Sequence, residues 1–157
     1  MAKIRKFQKR DTEAVAWLIF NTFKKFNSGD HFDERGVQRY LNRYNPENHR
    51  VEDIYRHLTK TPIFYVAVEH NKVIGVIRGR IYDLINLYVD GECHGRGIGR
   101  ELMKRFEKEV KRRGGKNIKI KSSVHALPFY EKMGYKKSTG LRNFKGVKVY
   151  PMKKRLK

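Results

Sequence analysis

Leu84-Ile85-Asn86-Leu87-Tyr88-Val89 leads through Asp90-Gly91-Glu92-Cys93 into His94-Gly95-Arg96-Gly97-Ile98-Gly99-Arg100, and then into Glu101-Leu102-Met103-Lys104-Arg105-Phe106-Glu107-Lys108-Glu109-Val110. The opening residues are β-branched, apolar or aromatic, and a strand is expected over Asp83 to Val89. Ile98, Leu102, Phe106 and Val110 then recur at four-residue spacing with Met103 beside them, while Lys104, Lys108 and Lys111 take the other faces. That is an amphipathic helix, and Gly114-Gly115 stops it. A strand therefore runs through a glycine turn into a helix N-terminus. Such a terminus presents unpaired backbone N–H groups and a partial positive charge, which suits a phosphate. Gly95, Gly97 and Gly99 keep side chains out of its way, and Arg96 and Arg100 add charge. Glycine spacing alone would also allow a plain tight turn. A dinucleotide turn lacks its full glycine pattern and the acidic residue after the next strand, and no Gly-Lys-Ser/Thr follows for a Walker turn.

Downstream, Asn117 to Ser122 alternates Ile118 and Ile120 with lysines, as a half-buried strand does. Ala126 to Met133 reads as a short helix ended by Gly134, and strands are expected at Tyr135 to Thr139 and Val147 to Pro151. Upstream, Ile63 to Val68 and Val73 to Ile81 flank Glu69-His70-Asn71-Lys72 as a hairpin. Gly75 and Gly79 within its second strand imply close backbone contact. Before it, Ala2 to Gln8 is a candidate first strand and Asp11 a candidate helix cap. Val15, Leu18, Ile19, Thr22 and Phe23 carry a helix broken at Asn27-Ser28-Gly29-Asp30. Asp33 to Tyr44 and Val51 to Leu58 read as further short helices, with the loop Asn45 to Asn48 between them. Trp17, Phe20, Phe23 and Phe26 are expected to pack in the core.

The turn His94-Gly95-Arg96-Gly97-Ile98-Gly99 resembles the acetyl-CoA-binding motif of the GNAT superfamily of N-acetyltransferases, Arg/Gln-x-x-Gly-x-Gly/Ala, and Ile85 to Val89 resembles the strand leading into it. Ala126-Leu127-Pro128-Phe129-Tyr130-Glu131-Lys132-Met133-Gly134-Tyr135 is similar to that family's second motif, Ala-x-x-Phe-Tyr-x-x-x-Gly-Phe. Two motifs in the right order, one strand apart, are far more specific than either alone. The similarity runs over nearly the whole chain and is firmest from Ile63 to Tyr135. The chain departs from the pattern at His94, where Arg or Gln is usual, at Gly91, near which Pro is common, and at Ser123, where Asn is frequent.

The resemblance implies one acetyltransferase domain over residues 1–157, with a cofactor-binding core at 63–135 and an acceptor-side segment at 27–60. It implies an α/β GNAT fold: a single mixed, mostly antiparallel twisted sheet of about six or seven strands, with a splayed parallel pair in the middle and helices on both faces. Acetyl-CoA would lie in the splay and pair with strand amides. Leu87 and Val89 would offer backbone groups. His94, Gly95, Arg96, Gly97, Ile98, Gly99 and Arg100 would hold pyrophosphate, and Ser123, Ala126, Phe129 and Lys132 would line the far side. Tyr130 would protonate the departing thiolate. Asp83 is the candidate base, since strand alternation puts it on one face with Ile85, Leu87 and Val89. Asp90 and Glu92 are further carboxylates beside the cofactor, and an ordinary turn aspartate is the competing reading of Asp83. A base matters because a lysine-like amine with a pKa of about 10.4 is neutral only about once in a few thousand molecules at pH 7. Asp30, His31, Asp33 and Glu34 are candidates for attracting the acceptor.

Charge and composition frame this reading. There are 37 Lys and Arg against 16 acidic residues, a net charge of +21, and Lys132 to Lys157 holds ten basic residues and no acid. Such a field attracts polyanions, so a ribosome or nucleic acid is a candidate partner for the basic C-terminal part. The single cysteine, Cys93, permits no internal disulfide and suits a reducing compartment. It reads as a bystander thiol. No apolar run is long enough to span a bilayer and no signal peptide is read, so a cytoplasmic monomer or homodimer with no membrane partner is expected. The six histidines have no metal-like spacing, and no metal is expected. The acceptor is left open among a protein N-terminus, a lysine, a polyamine and another small amine. A non-catalytic acetyl-CoA sensor and a basic nucleic-acid-binding or ribosome-associated module are the alternatives.

Overall fold

The computed structural model describes residues 2–26 and 33–157. In chain order it has β1 (Lys3–Lys6), a 3-10 turn (Lys9–Asp11), α1 (Thr12–Phe26), α2 (Glu34–Tyr44), α3 (Val51–Leu58), β2 (Ile63–Glu69), β3 (Lys72–Gly79) and β4 (Leu84–Val89). A second 3-10 turn (Gly91–Cys93), α4 (Ile98–Arg112), β5 (Asn117–Ser123), α5 (Leu127–Lys132), β6 (Lys136–Lys137), β7 (Arg142–Phe144) and β8 (Val147–Arg155) follow. The helix break expected at Asn27 to Asp30 lies outside the described residues, as do Asp30 and His31.

The strands form two four-stranded halves. One is the antiparallel series β1-β2-β3-β4; in the other, β5, β6 and β7 all pair with β8. The halves meet at one parallel bridge, Asp83 with Lys119, where the Lys119 amide donates to the Tyr82 carbonyl at 2.8 Å. No further ladder joins β4 to β5, so the middle of the sheet is splayed. Among the described residues there are eight strands. The unanticipated one, β7, is only three residues long, and a left-handed turn at Lys145 (φ 53°) and Gly146 (φ 86°) folds it onto β8. Three residues without apolar alternation leave no periodicity to read.

Helices cover both faces. Ile63, Tyr65 and Ala67 of β2 join Leu102, Met103, Phe106 and Val110 of α4 in one core cluster, with Ile118 and Ile120 of β5. The alternate residues Phe64 and Val66 join Val15, Ala16 and Ile19 of α1 and Ile54 and Leu58 of α3 in the other. Gly75 lets α4 approach β3: a Cβ there would sit 3.0 Å from Leu102 Cδ1. Of the aromatic residues on α1, only Phe23 is fully buried. Trp17 and Phe20 meet edge-on at 5.6 Å and are half-buried. Asp11 does not cap α1 in the manner expected. Its carboxylate reaches back to the Gln8 amide at 2.8 Å and pairs with Arg5 at 2.7 Å, closing the 3-10 turn before the helix.

Helix α2 is fastened to the far half of the sheet. Asp33 N–H donates to Gly146 O at 2.9 Å, and the two backbones are so close that a Cβ on Gly36 would lie 2.6 Å from Gly146 Cα. Gly36→Val should therefore push α2 off the β7–β8 hairpin. The expected result is a loss of about 1–3 kcal/mol, seen as a drop of several degrees in Tm. An unchanged melting temperature would show that this contact is not held in solution.

Candidate functional site

The splay opens into a cleft of about 1080 Å³. Its floor is the divergent ends of β4 and β5, and its mouth is the N-terminus of α4. The Asp90 amide donates to Ile74 O on β3 at 2.8 Å. Backbone groups alternate sides along a strand, so those of Tyr88 also face β3 while those of Leu87 and Val89 face the gap. A bulge opposite Arg78 and Gly79 shifts the phase of β4: Gly79 pairs with Leu84, but Arg78 pairs with Asn86. Leu84, Leu87 and Val89 consequently share the α4 side, and Asn86 and Tyr88 turn to the other.

That bulge breaks the alternation that would align Asp83 with Leu87 and Val89. Asp83 sits at the closed end where β4 and β5 touch, outside the residues lining the cleft, and its Oδ2 lies 3.3 Å from Arg80 Nη1. Asp90 and Glu92 are not brought to the cleft either. Asp90 accepts from the Glu92 amide and pairs with Lys72. Asp33 accepts from the Arg35 amide, and neither it nor Glu34 lines the cleft.

The glycine turn lies at the mouth. Gly95 and Gly97 both have φ of 80°, a left-handed conformation that favours glycine, and a Cβ on either would meet no protein atom within 4 Å. Gly97 precedes α4, whose first internal bond runs from Glu101 N to Gly97 O at 3.0 Å. The amides of Ile98, Gly99 and Arg100 therefore have no intrahelical partner. Gly99 packs on the Phe129 ring, where its Cβ would sit at 3.4 Å. Arg100 lines the cleft, whereas Arg96 turns its guanidinium away to the Glu69 carboxylate. His94 Nε2 lies 2.8 Å from Val89 O, so that carbonyl is already engaged by the protein. Phe26, at the end of α1, stacks on both His94 (5.0 Å) and His125 (4.8 Å).

On the opposite wall, Ser123, Ala126, Phe129, Tyr130 and Lys132 face the cleft. Ser123 Oγ accepts from the Ala126 amide at 3.1 Å, and its hydroxyl proton is left to donate. Tyr130 is buried, with 7% of its surface exposed, and its ring contacts Phe129 and Tyr135 edge-on. Burial raises its phenol well above the ordinary value, so it holds its proton at neutral pH. Cys93 is half-buried at the edge of the cleft.

The inner end holds a polar network that sequence reading missed. Arg78, buried at 2% exposure, donates from Nε to Asn86 Oδ1 at 2.6 Å, from Nη2 to Tyr44 OH at 2.8 Å and from Nη1 to Leu58 O at 3.4 Å. Asn86 Nδ2 donates to Tyr40 OH at 2.9 Å, and the Tyr40 and Tyr88 hydroxyls lie 2.8 Å apart. Burial raises both of those phenols. A lone arginine closing the apolar run Val73 to Ile77 was the available clue. His57 lies beside this network with Nε2 buried and no hydrogen-bond partner among the described residues. Burial, then the Arg78, Arg43 and Lys60 charges, lower its pKa to about 4.

A histidine titrating near 6.5 when unfolded and about 4 when folded leaves the unfolded chain holding more protons between those values. Its contribution is whole above pH 6.5 and is lost as pH falls towards 4. The ceiling is about 3 kcal/mol, less for a partly solvated ring. His57→Phe should flatten the fall in Tm from pH 6.5 to 4 relative to the parent chain; superimposable pH profiles would contradict this.

Among the described residues, no group of three or more His, Cys, Asp or Glu could hold a metal ion, and no helix is long and apolar enough to cross a membrane. Residues 30–156 match a family model described as an acetyltransferase (GNAT) domain. A relative described as an uncharacterised N-acetyltransferase of Methanocaldococcus jannaschii is 26% identical over 77 residues, which is 47% of this chain and 34% of the relative. The match thus spans about a third of that protein's length. A GCN5-related N-acetyltransferase structure from Rhodopseudomonas palustris superposes with a TM-score of 0.83 at 18% identity, covering 99% of this chain and 96% of that one. The PaiA N-acetyltransferase of Thermoplasma acidophilum, in complex with coenzyme A, superposes at 0.77 with 22% identity, covering 99% of each chain.

Proposed function

This chain belongs to the GNAT family of acetyltransferases, and from that premise we propose that it moves the acetyl group of acetyl-CoA directly to a primary amine. One observation carries the proposal: the unpaired amides at the start of α4 and two left-handed glycines stand at the mouth of the gap between β4 and β5. This arrangement fits a phosphorylated, extended cofactor. Gly97 and the amides of Ile98 to Arg100 cradle pyrophosphate, with the Arg100 charge beside them. The Leu87 backbone and the Val89 amide face the gap where pantetheine pairs like an added strand. When bound, acetyl-CoA supplies the activated acyl group. Ser123, Ala126, Phe129 and Lys132 form the opposite wall. Tyr130, held protonated by burial, donates a proton to the departing sulfur.

A carboxylate base is not part of the proposal, because the cleft lining contains no aspartate or glutamate among the described residues. The acceptor enters from the side roofed by α2 and the β7–β8 hairpin. Purified protein should bind coenzyme A in calorimetry and release its thiol from acetyl-CoA only when an amine is present. A folded protein that ignores coenzyme A at millimolar levels overturns the reading. Binding without transfer to any amine leaves a sensor, and salt-sensitive RNA binding without either leaves a basic binding module.

A further inference from the structure

We infer that the acceptor is an anionic amine, one whose own skeleton carries a carboxylate or phosphate near the reacting nitrogen; this rests on the acetyltransferase reading above. The acceptor side of the cleft is lined by Arg39 and Arg43 of α2, Lys60 after α3, Arg78 of β3, Lys121 of β5 and Lys145 of the β7–β8 turn. None of the six pairs with a carboxylate among the described residues. Arg80, the remaining cation at that end, is matched by Asp83. About one residue in ten of the chain is acidic, yet no aspartate or glutamate lines the cleft among the described residues.

Arg78 is the strongest element. Its guanidinium is buried, and its hydrogen bonds among the described residues all go to neutral acceptors: an amide oxygen, a phenol and a backbone carbonyl. A buried charge without a counter-ion is costly, and an oxyanion from a ligand supplies one. Beside it, His57 Nε2 is buried without a hydrogen-bond partner among the described residues. Lys121 Nζ and Lys145 Nζ lie 4.5 and 5.4 Å from the centroid of the Phe144 ring, which also lines the cleft.

The same cations bear on the chemistry. Positive neighbours disfavour the ammonium form of an amine held among them, so the bound nitrogen loses its proton to water more readily than it would free in solution. The neutral nitrogen then attacks the thioester carbonyl carbon, and the new C–N bond forms as the C–S bond breaks. The nitrogen's surplus proton passes to water, and Tyr130 gives the departing sulfur its proton and regains one from solvent. The anion on the acceptor offsets the repulsion that the amine alone would meet. A polyamine, which brings only further positive charge, is disfavoured at binding.

The test uses matched acceptors with acetyl-CoA and follows thiol release. The pairs are β-alanine against β-alaninamide, and O-phosphoethanolamine against ethanolamine, with spermidine as the polycation. The anionic member of at least one pair should exceed its neutral partner at least tenfold in kcat/KM, and which pair responds tells carboxylate from phosphate. Arg43→Gln combined with Lys145→Gln should erase most of that preference by raising KM, with coenzyme A affinity within threefold. Equal or lower rates with the anionic member of both pairs, including no turnover of either, overturn the inference, as does a preference for spermidine. Loss of coenzyme A binding in the parent protein would instead overturn the acetyltransferase reading, and the inference with it.

Discussion

Gly97→Val should weaken coenzyme A binding by at least about 100-fold while leaving the protein folded. Two effects act together. Valine is strongly disfavoured at φ of 80°, at a cost of about 1–3 kcal/mol, so the turn must open and the amides at the head of α4 lose their common aim. The new side chain also points where no protein atom lies within 4 Å, into the space a phosphate would take. Because nothing in the protein is struck, the loss is confined to that backbone cost, and the variant should melt no more than several degrees below the parent and keep its far-UV spectrum. Gly97→Ala should fall between the two in affinity. Titration calorimetry reads the result, and a dissociation constant within threefold of the parent would mean that this turn does not seat the pyrophosphate.

The second large effect is expected at Tyr130. Tyr130→Phe removes one oxygen and keeps the ring that packs between Phe129 and Tyr135 at 5.2 and 5.9 Å. If the phenol supplies the proton to sulfur, kcat should fall about 10²- to 10⁴-fold, the usual range for a positioned acid. Coenzyme A affinity should stay within threefold, and Tm should barely move. A tyrosine that only packs would leave kcat unchanged. A fall in affinity that accounts for the whole loss of rate would place the hydroxyl in cofactor binding instead. Burial predicts a further signature: a phenol pushed well above its ordinary value should not limit the rate on the alkaline side near neutrality.

Local patterns made several features legible. The four-residue spacing of Ile98, Leu102, Phe106 and Val110 gave α4 and its buried face together, and all four are buried. Ile118 and Ile120 alternate with exposed lysines in β5 as read. The glycines of the turn announced a backbone that side chains would obstruct, and Gly95 and Gly97 do adopt left-handed φ. Asp83 was harder. Its expected place depended on an unbroken period of two, and one bulged residue in β4 reversed the phase. A bulge inserts a residue without leaving a composition mark. Arg96 was read with its neighbours in the turn, but Glu69, 27 positions earlier, takes its guanidinium.

The order of strands and helices, the amphipathic faces and the glycine turn before α4 were set by the sequence itself, because each depends on residues within a few positions of one another. The charge of the inner end of the cleft was decided only by the tertiary structure. Arg39, Arg78, Lys121 and Lys145 come from four separate elements, and Gly36 meets Gly146 across most of the chain. Charge acts through space, so whether a cation lies in a solvated surface or in a cleft without a carboxylate depends on what folding places beside it.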